Sequence, residues 1–249
     1  MIAITHVPSL RLKQCELTHL SRTAIDIELA GAQHANYCAA LMSAGCSVQT
    51  NDFNREYPDA VFVEDVAVVL DELIILGAMG VQSREPEMVG WKQRLSEFRT
   101  LVELPSGAKL EGGDVLRVGR ELLIGISTRT NTIAIEAVTK LVKRLGYIVH
   151  AVPVVGCLHL KTACTAIDDD TLLVNPNWID GERLLRKKMV VAADSWGANV
   201  IRLPDQLLTN SQNTATIKQL ELLGYSVTPV DLSEFAKAEA GATCLSLLI

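Results

Sequence analysis

The sequence predicts an α/β fold of five repeated strand–strand–helix–strand (ββαβ) units, closed into a propeller by its N- and C-terminal strands. Three observations predict it. Paired apolar strands followed by a helical stretch and a further strand recur along the chain. Glu64, Glu111, His159, Asn199 and Cys244 follow one another at near-regular intervals of 47, 48, 40 and 45 residues. Gly45, Gly146 and Gly224 end three of the helical stretches, where a left-handed backbone stops a helix. A repeat of this length marks units that share a core with their neighbours. Five units joined through the chain ends leave few free sheet edges.

One unit reads as a strand over 61–69, a second over 73–76, a helix around 87–98 and a closing strand over 100–104. The next has strands at 114–118 and 122–125 about a turn at Gly119. Its helix, about 132–145, spaces Ala134, Ala137, Val138, Leu141, Val142 and Leu145 along one face, and a strand over 147–152 follows. A third begins at His159, turns at 168–170 and resumes at 171–174. A short helix about 182–187 and an outer strand 189–192 complete it. The fourth has a strand at 199–203, a turn at Pro204-Asp205, a helix about 214–223 and a strand at 226–230. The fifth requires the chain ends to meet: 244–248 and 3–7 supply its inner strands, 26–44 its helix and 46–50 its last strand. Residues 1–249 are thus expected to form a single domain.

The bulk numbers bound the function. A chain of 249 residues with 49% hydrophobic residues buries an ample core. With 23 basic against 29 acidic residues and no basic run, the net charge of −6 argues against nucleic acid and suits a cationic small molecule. No apolar run reaches membrane-spanning length, and no signal peptide opens the chain, so a cytoplasmic protein with reduced thiols and no membrane partner is expected. The six cysteines (15, 38, 46, 157, 164 and 244) contain no C-x-x-C pair, which predicts no structural zinc. Five of them read as small apolar fillers. No cofactor is expected, and a homodimer is compatible with the chain.

Residues that start each unit would point to the ring axis, which converts sequence distance into proximity. Glu64, Asp65, Glu111, His159 and Cys244 hold those positions. A thiol, an imidazole and carboxylates at one point are equipment for attack by sulfur on a cationic carbon. Taken singly, a cysteine near a chain end or a histidine in an apolar run is a packing residue, and Gly112-Gly113 is a tight turn. Adjacent acids between apolar runs are costly to bury without a partner.

At these residues the chain resembles the dimethylarginine dimethylaminohydrolase family of the guanidine-modifying superfamily. The matching segments are Pro58-Asp59-Ala60-Val61-Phe62-Val63-Glu64-Asp65, Ser83-Arg84, Leu110-Glu111-Gly112-Gly113-Asp114, Ser127-Thr128-Arg129-Thr130-Asn131, Cys157-Leu158-His159-Leu160-Lys161-Thr162, Val174-Asn175-Pro176, Ser233-Glu234-Phe235 and Thr243-Cys244-Leu245-Ser246-Leu247. They cover nearly the whole chain in order, and they are specific as a set. The resemblance implies a five-unit propeller that hydrolyses Nω-methylated arginine, a small-molecule guanidine, to citrulline and methylamine or dimethylamine. It makes Cys244 the nucleophile, His159 the general acid and then base, and Glu111 the residue that orients His159. Glu64 and Asp65 match carboxylates that hold the guanidinium, and Phe62 would pack on the substrate. Arg84 and Arg129 match the binders of its α-carboxylate, and Asp59, with backbone near Leu17 and Ala238, matches the acceptor for its α-ammonium.

The chain departs from the family in two places. Members often carry an Asp-Gly pair shortly before the nucleophile, where this chain reads Glu239-Ala240-Gly241-Ala242-Thr243, and residues 11–25 match no lid sequence. The core residues are shared with arginine deiminases and with amidinotransferases. A non-catalytic propeller would not need Cys, His and Glu at three unit starts, and a papain-like protease has its cysteine before its histidine, the reverse of the order here.

Overall fold

The structure, a computed structural model, describes residues 1–179, 184 and 188–249. Its strands form five three-stranded sheets. Two strands of the first sheet are β1 (Ile2–His6) and β2 (Ser47–Asn51), with α1 (Ile27–Ser43) between them. Next come β3 (Ala67–Val69), β4 (Ile74–Leu76), α2 (Met88–Leu95) and β5 (Leu101–Val102). The third group is β6 (Val115–Val118), β7 (Glu121–Ile126), α3 (Thr132–Lys143) and β8 (Ile148–Pro153). A single turn, α4 (Leu160–Ala163), leads into β9 (Cys164–Ala166), β10 (Thr171–Val174) and β11 (Lys188–Val191). Then follow β12 (Val200–Arg202), β13 (Leu207–Asn210), α5 (Thr214–Leu222), β14 (Val227–Val230), α6 (Ser233–Ala236) and β15 (Leu247–Leu248).

Each sheet follows one rule. The middle strand pairs antiparallel with one neighbour and parallel with the other, as β4 does with β3 and β5, and β7 with β6 and β8. Parallel pairing demands a crossover, which α1, α2, α3 and α5 supply. In the first sheet β1 takes its antiparallel partner from the other end of the chain, with Ala3 opposite Leu248 and Ile4 opposite Leu247. Apart from residue 184, the expected helix about 182–187 lies outside the described residues. No helix among the described residues is long and apolar enough to cross a membrane.

Local chemistry explains the helix limits. Asp26 caps α1 by accepting from the Leu29 amide at 3.0 Å, and Asn131 does the same for α3 from Ala134 at 3.0 Å. Gly45, Gly146 and Gly224 leave their helices at φ of 85°, 80° and 93°, as the sequence predicts. The middle strands β4, β7 and β10 read as apolar runs because both of their faces are covered. On β7, Leu122 and Ile124 pack in a cluster with Val68 and Ile75, while Leu123 packs with Cys164 and Leu172. Five such apolar clusters each draw residues from two sheets; one joins Ile4 and Leu247 to Ile74 and Trp91, and another joins Ala3 and Tyr37 to Leu208 and Val230.

Three expectations are corrected. The run 61–69 is not one strand: Val63–Val66 winds into a 3-10 turn and only Ala67–Val69 pairs, because β4 is three residues long. Likewise His159 opens α4 rather than a strand, and Cys244 lies in a 3-10 turn, Thr243–Leu245. The sequence reading also passed over β13. Its short Leu-Leu-Thr-Asn run lacks the alternation that marks a strand.

Tyr37 ties α1 to the segment around Cys244. Its buried hydroxyl donates to the Ala242 carbonyl at 2.9 Å and lies 2.7 Å from Ser246 Oγ. Tyr37→Phe leaves those groups short of a partner and is expected to cost about 1–2 kcal/mol. Calorimetry should show the melting temperature lowered by roughly 2–8 °C.

Candidate active site

The turns that precede the first strands of four sheets carry the chemistry to one place. Asp65 sits in the turn before β3, Glu111 just ahead of the turn Gly112–Asp114 before β6, His159 at the start of α4, and Cys244 in the turn before β15. Asp65, His159 and Cys244 line one narrow pocket, together with Asp59, Phe62, Arg84, Arg129 and Ala238. Its free volume is about 20 Å³. Glu16, Leu158, Glu239 and Ala240, to which the sequence reading gave no role, complete the wall.

Backbone packing positions these groups. At neither Gly112 nor Gly113 is φ positive, so the turn they form does not itself require glycine. The pair is there for close approach: a Cβ on Gly112 would meet the Glu64 carbonyl oxygen at 2.1 Å, and one on Gly113 would lie 2.6 Å from His159 Nδ1 and 2.8 Å from Asp65 Oδ1. Asp114 accepts from the Leu160 amide at 2.9 Å, which fixes the start of α4 and therefore the backbone of His159. The imidazole Nε2 lies 2.7 Å from Glu111 Oε2, and Nδ1 lies 3.8 Å from Asp65 Oδ1.

Burial opposes a charge on His159, but Asp65, Asp114 and Glu111 outweigh it and raise the imidazole to about 9. At neutral pH it is an imidazolium. Burial also works against a charged Glu111, yet the bond to His159 and the nearby arginines hold its carboxyl well below the usual range. Burial, then Glu64 and Asp65, push the Cys244 thiol far up, against the Gly241 amide and Lys161. The resting pair is therefore a neutral thiol beside a proton-bearing ring. Burial raises Asp59 to about 7.

The other expected residues sit as follows. Asp59 accepts from the Glu16 amide at 3.1 and 3.3 Å. Buried Arg84 is committed to Asp65 at 2.7 Å, to Glu87 at 3.2 Å and to the Phe62 carbonyl at 3.2 Å. Arg129 donates to Glu111 at 3.2 and 3.3 Å and to Thr18 Oγ1 at 3.4 Å. Glu64 and Leu17 are not among the lining residues. Glu64 binds Lys161 at 2.6 Å and accepts from Thr243 Oγ1 at 2.7 Å, on the side of a separate cavity of about 330 Å³. Leu17 packs against the cluster that holds Leu12, Phe62 and Ala238. The five cysteines read as fillers are buried, and Cys244 is partly exposed.

Asp65, Glu111 and His159 bring one ligand atom each to within 4.8 Å of one another. A cation there would have to displace Arg84 from Asp65 and the proton from His159, so the donor set as paired suits a protonated ring better than a metal.

The chain is similar to known proteins in sequence and in fold. A family model described as arginine deiminase matches residues 38–196, more than half of the chain. A dimethylarginine dimethylaminohydrolase of Streptomyces coelicolor is 34% identical over 247 residues, which cover 98% of this chain and 95% of that one. The chain belongs to the arginine deiminase and dimethylarginine dimethylaminohydrolase family. Within the family, the Pseudomonas aeruginosa enzyme has been solved as a cysteine-to-serine variant complexed with citrulline. It matches with a TM-score of 0.92 at 25% identity, covering 98% of this chain and 97% of that one. A histidine-to-glycine dimethylarginine dimethylaminohydrolase, solved as an adduct with S-methyl-L-thiocitrulline, matches with a TM-score of 0.91 at 25% identity and 98% coverage of both chains.

Proposed function

We propose that this protein hydrolyses Nω-methylated arginine to citrulline and methylamine or dimethylamine through a covalent thiouronium on Cys244. The observation that carries the reading is one pocket walled by a thiol, a Glu111-bonded imidazolium and a carboxylate, in a chain 34% identical to a dimethylarginine dimethylaminohydrolase. The five sheets, their shared apolar clusters and the strand pairing of the two chain ends support a closed five-unit propeller acting as a single domain. A cytoplasmic location fits the six free cysteines.

The reaction follows from the groups present. The Cys244 proton is lost to solvent as the guanidinium binds beside Asp65. The sulfur then bonds to the guanidinium carbon and gives a tetrahedral adduct. His159 passes its proton to the departing amine, the C–N bond breaks and the thiouronium remains. The neutral ring next takes a proton from water, the hydroxide adds to the same carbon, and the C–S bond breaks as the proton of the added oxygen passes to the departing sulfur, releasing citrulline and the Cys244 thiol. Substrate binding requires Arg84, now on Asp65 and Glu87, and Arg129, now on Glu111, to turn their forks to the α-carboxylate and leave Asp65 to the incoming guanidinium.

Because the family model is that of arginine deiminase, arginine itself is the alternative substrate, with ammonia as the leaving group. Incubation with asymmetric dimethylarginine and with arginine, followed by assay of citrulline, dimethylamine, ammonia and ornithine, decides between them. Citrulline and dimethylamine in equal amounts are expected. Ammonia from arginine as the dominant product would replace this reading by the alternative.

The resting thiol gives a second expected result. With burial and two carboxylates holding the proton on Cys244, its alkylation in the free enzyme should rise with pH and reach its midpoint above the ordinary thiol value of about 8.5. An unreactive guanidinium ligand should move that midpoint down by bringing positive charge to the sulfur. A free-enzyme midpoint about two units below 8.5 would contradict this account.

A further inference from the structure

Residues 16–20 run along one side of the pocket, which Glu16 lines, and the buried carboxylate of Glu239 holds three amides of that segment. Glu239 accepts from three successive amides: Thr18 at 3.1 Å to both oxygens, His19 at 2.5 Å, and Leu20. Among the described residues no lysine or arginine pairs with this carboxylate, so its charge is met by backbone donors alone, an anion nest of the chain's own making. Glu239 is also the one described non-glycine residue with φ in the left-handed region, at 60°. An ordinary side chain there costs on the order of 1 kcal/mol or more of backbone strain. The position that glycine would fill without strain instead holds a residue whose carboxylate fastens a distant segment.

We propose that Glu239 is a positioning residue: a latch that closes residues 16–20 over the substrate and ties that closure to the segment carrying Cys244. The proposal rests on the reaction proposed above. The same segment touches other pocket groups, since the Glu16 amide donates to Asp59 and Arg129 reaches Thr18 Oγ1. A substrate that engages Asp59 and Arg129 therefore handles groups that also hold the strap. The latched pocket leaves about 20 Å³, room for about one water. An arginine-sized molecule must pass while the strap is open. Glu239 sets how long it stays open, and re-latching buries the bound molecule once Arg84 and Arg129 have turned from Asp65 and Glu111 to make room.

Glu239→Gly removes the carboxylate and relieves the backbone, so it should fold at least as well as the parent; Glu239→Gln removes only the charge. In hydrogen exchange the Thr18, His19 and Leu20 amides should exchange at least about tenfold faster in both variants, with the strand amides unchanged. Alkylation of Cys244 by iodoacetamide at fixed pH should quicken several-fold. With methylarginine, KM should rise about tenfold or more while kcat falls less, and Glu239→Asp should recover part of the loss. Unchanged exchange at 18–20, or a loss confined to kcat, would overturn the latch. Exchange and alkylation need no turnover. If both respond while no guanidine is hydrolysed, the latch stands and the proposed reaction falls.

Discussion

Cys244→Ser is expected to lower citrulline formation by about 10⁴-fold or more while leaving the fold intact. A serine hydroxyl reaches its anion far less readily than a thiol, and nothing here is built to deprotonate it. His159 holds its proton up to about 9 and directs Nε2 to Glu111 at 2.7 Å, so it is poised as an acid and not as a base toward residue 244. Cys244 is partly exposed, the Gly241 amide donates to its sulfur at 3.4 Å, and a serine oxygen takes the place of the sulfur with little change of shape. The swap should therefore move the melting temperature by no more than a few degrees. Steady-state citrulline assays with calorimetry on the same samples check both halves. Turnover above about one per cent of the parent would remove Cys244 from the role of nucleophile.

How much of this site could be read from the amino-acid order depends on the range of each interaction. The helices α1, α3 and α5 were legible with their glycine stops because caps, periodicity and a left-handed exit are local. The gathering of Glu111, His159 and Cys244 was legible because the repeat brings like positions together. The period does not say which way each side chain turns. Glu64 and Asp65 look like one acidic pair, yet the 3-10 turn at 63–66 sends Asp65 to the pocket and Glu64 to Lys161 on the side of a separate cavity. Three links were hidden for a related reason. The pairing of Arg84 with Asp65, the support that Asp114 gives α4, and the hold of Glu239 on residues 18–20 join segments 19, 46 and about 220 residues apart. The sequence carried no signal for the last of these, because the chain reads Glu239-Ala240-Gly241 where the family often has an Asp-Gly pair, and the left-handed backbone falls on a glutamate.

His159→Gln should separate the two halves of the reaction. In the parent, burial opposes the ring's charge and three carboxylates restore it, so the imidazolium persists until the pH approaches about 9. It is thus available to protonate an amine, which leaves poorly as an anion. Glutamine retains a hydrogen bond but carries no transferable proton, and hydrolysis of dimethylarginine should fall by about 10²–10⁴-fold. An S-alkyl isothiourea analogue of arginine expels a thiolate that needs no acid. The variant should still take it up on Cys244, but without a base to activate water the adduct should persist, and intact-protein mass spectrometry would show it. The pH profile tests the same logic from the other side. Thiolate formation favours high pH, whereas loss of the His159 proton removes the acid above about 9, so the parent should show a bell. In Glu111→Gln one of the groups that raise the imidazole is gone, and the falling limb should move to lower pH while the rising limb stays. If the His159 variant neither accumulates adduct nor loses turnover, the proton to the departing amine comes from another group. If the falling limb of the Glu111 variant stays in place, Asp65 and Asp114 alone set the pKa of His159.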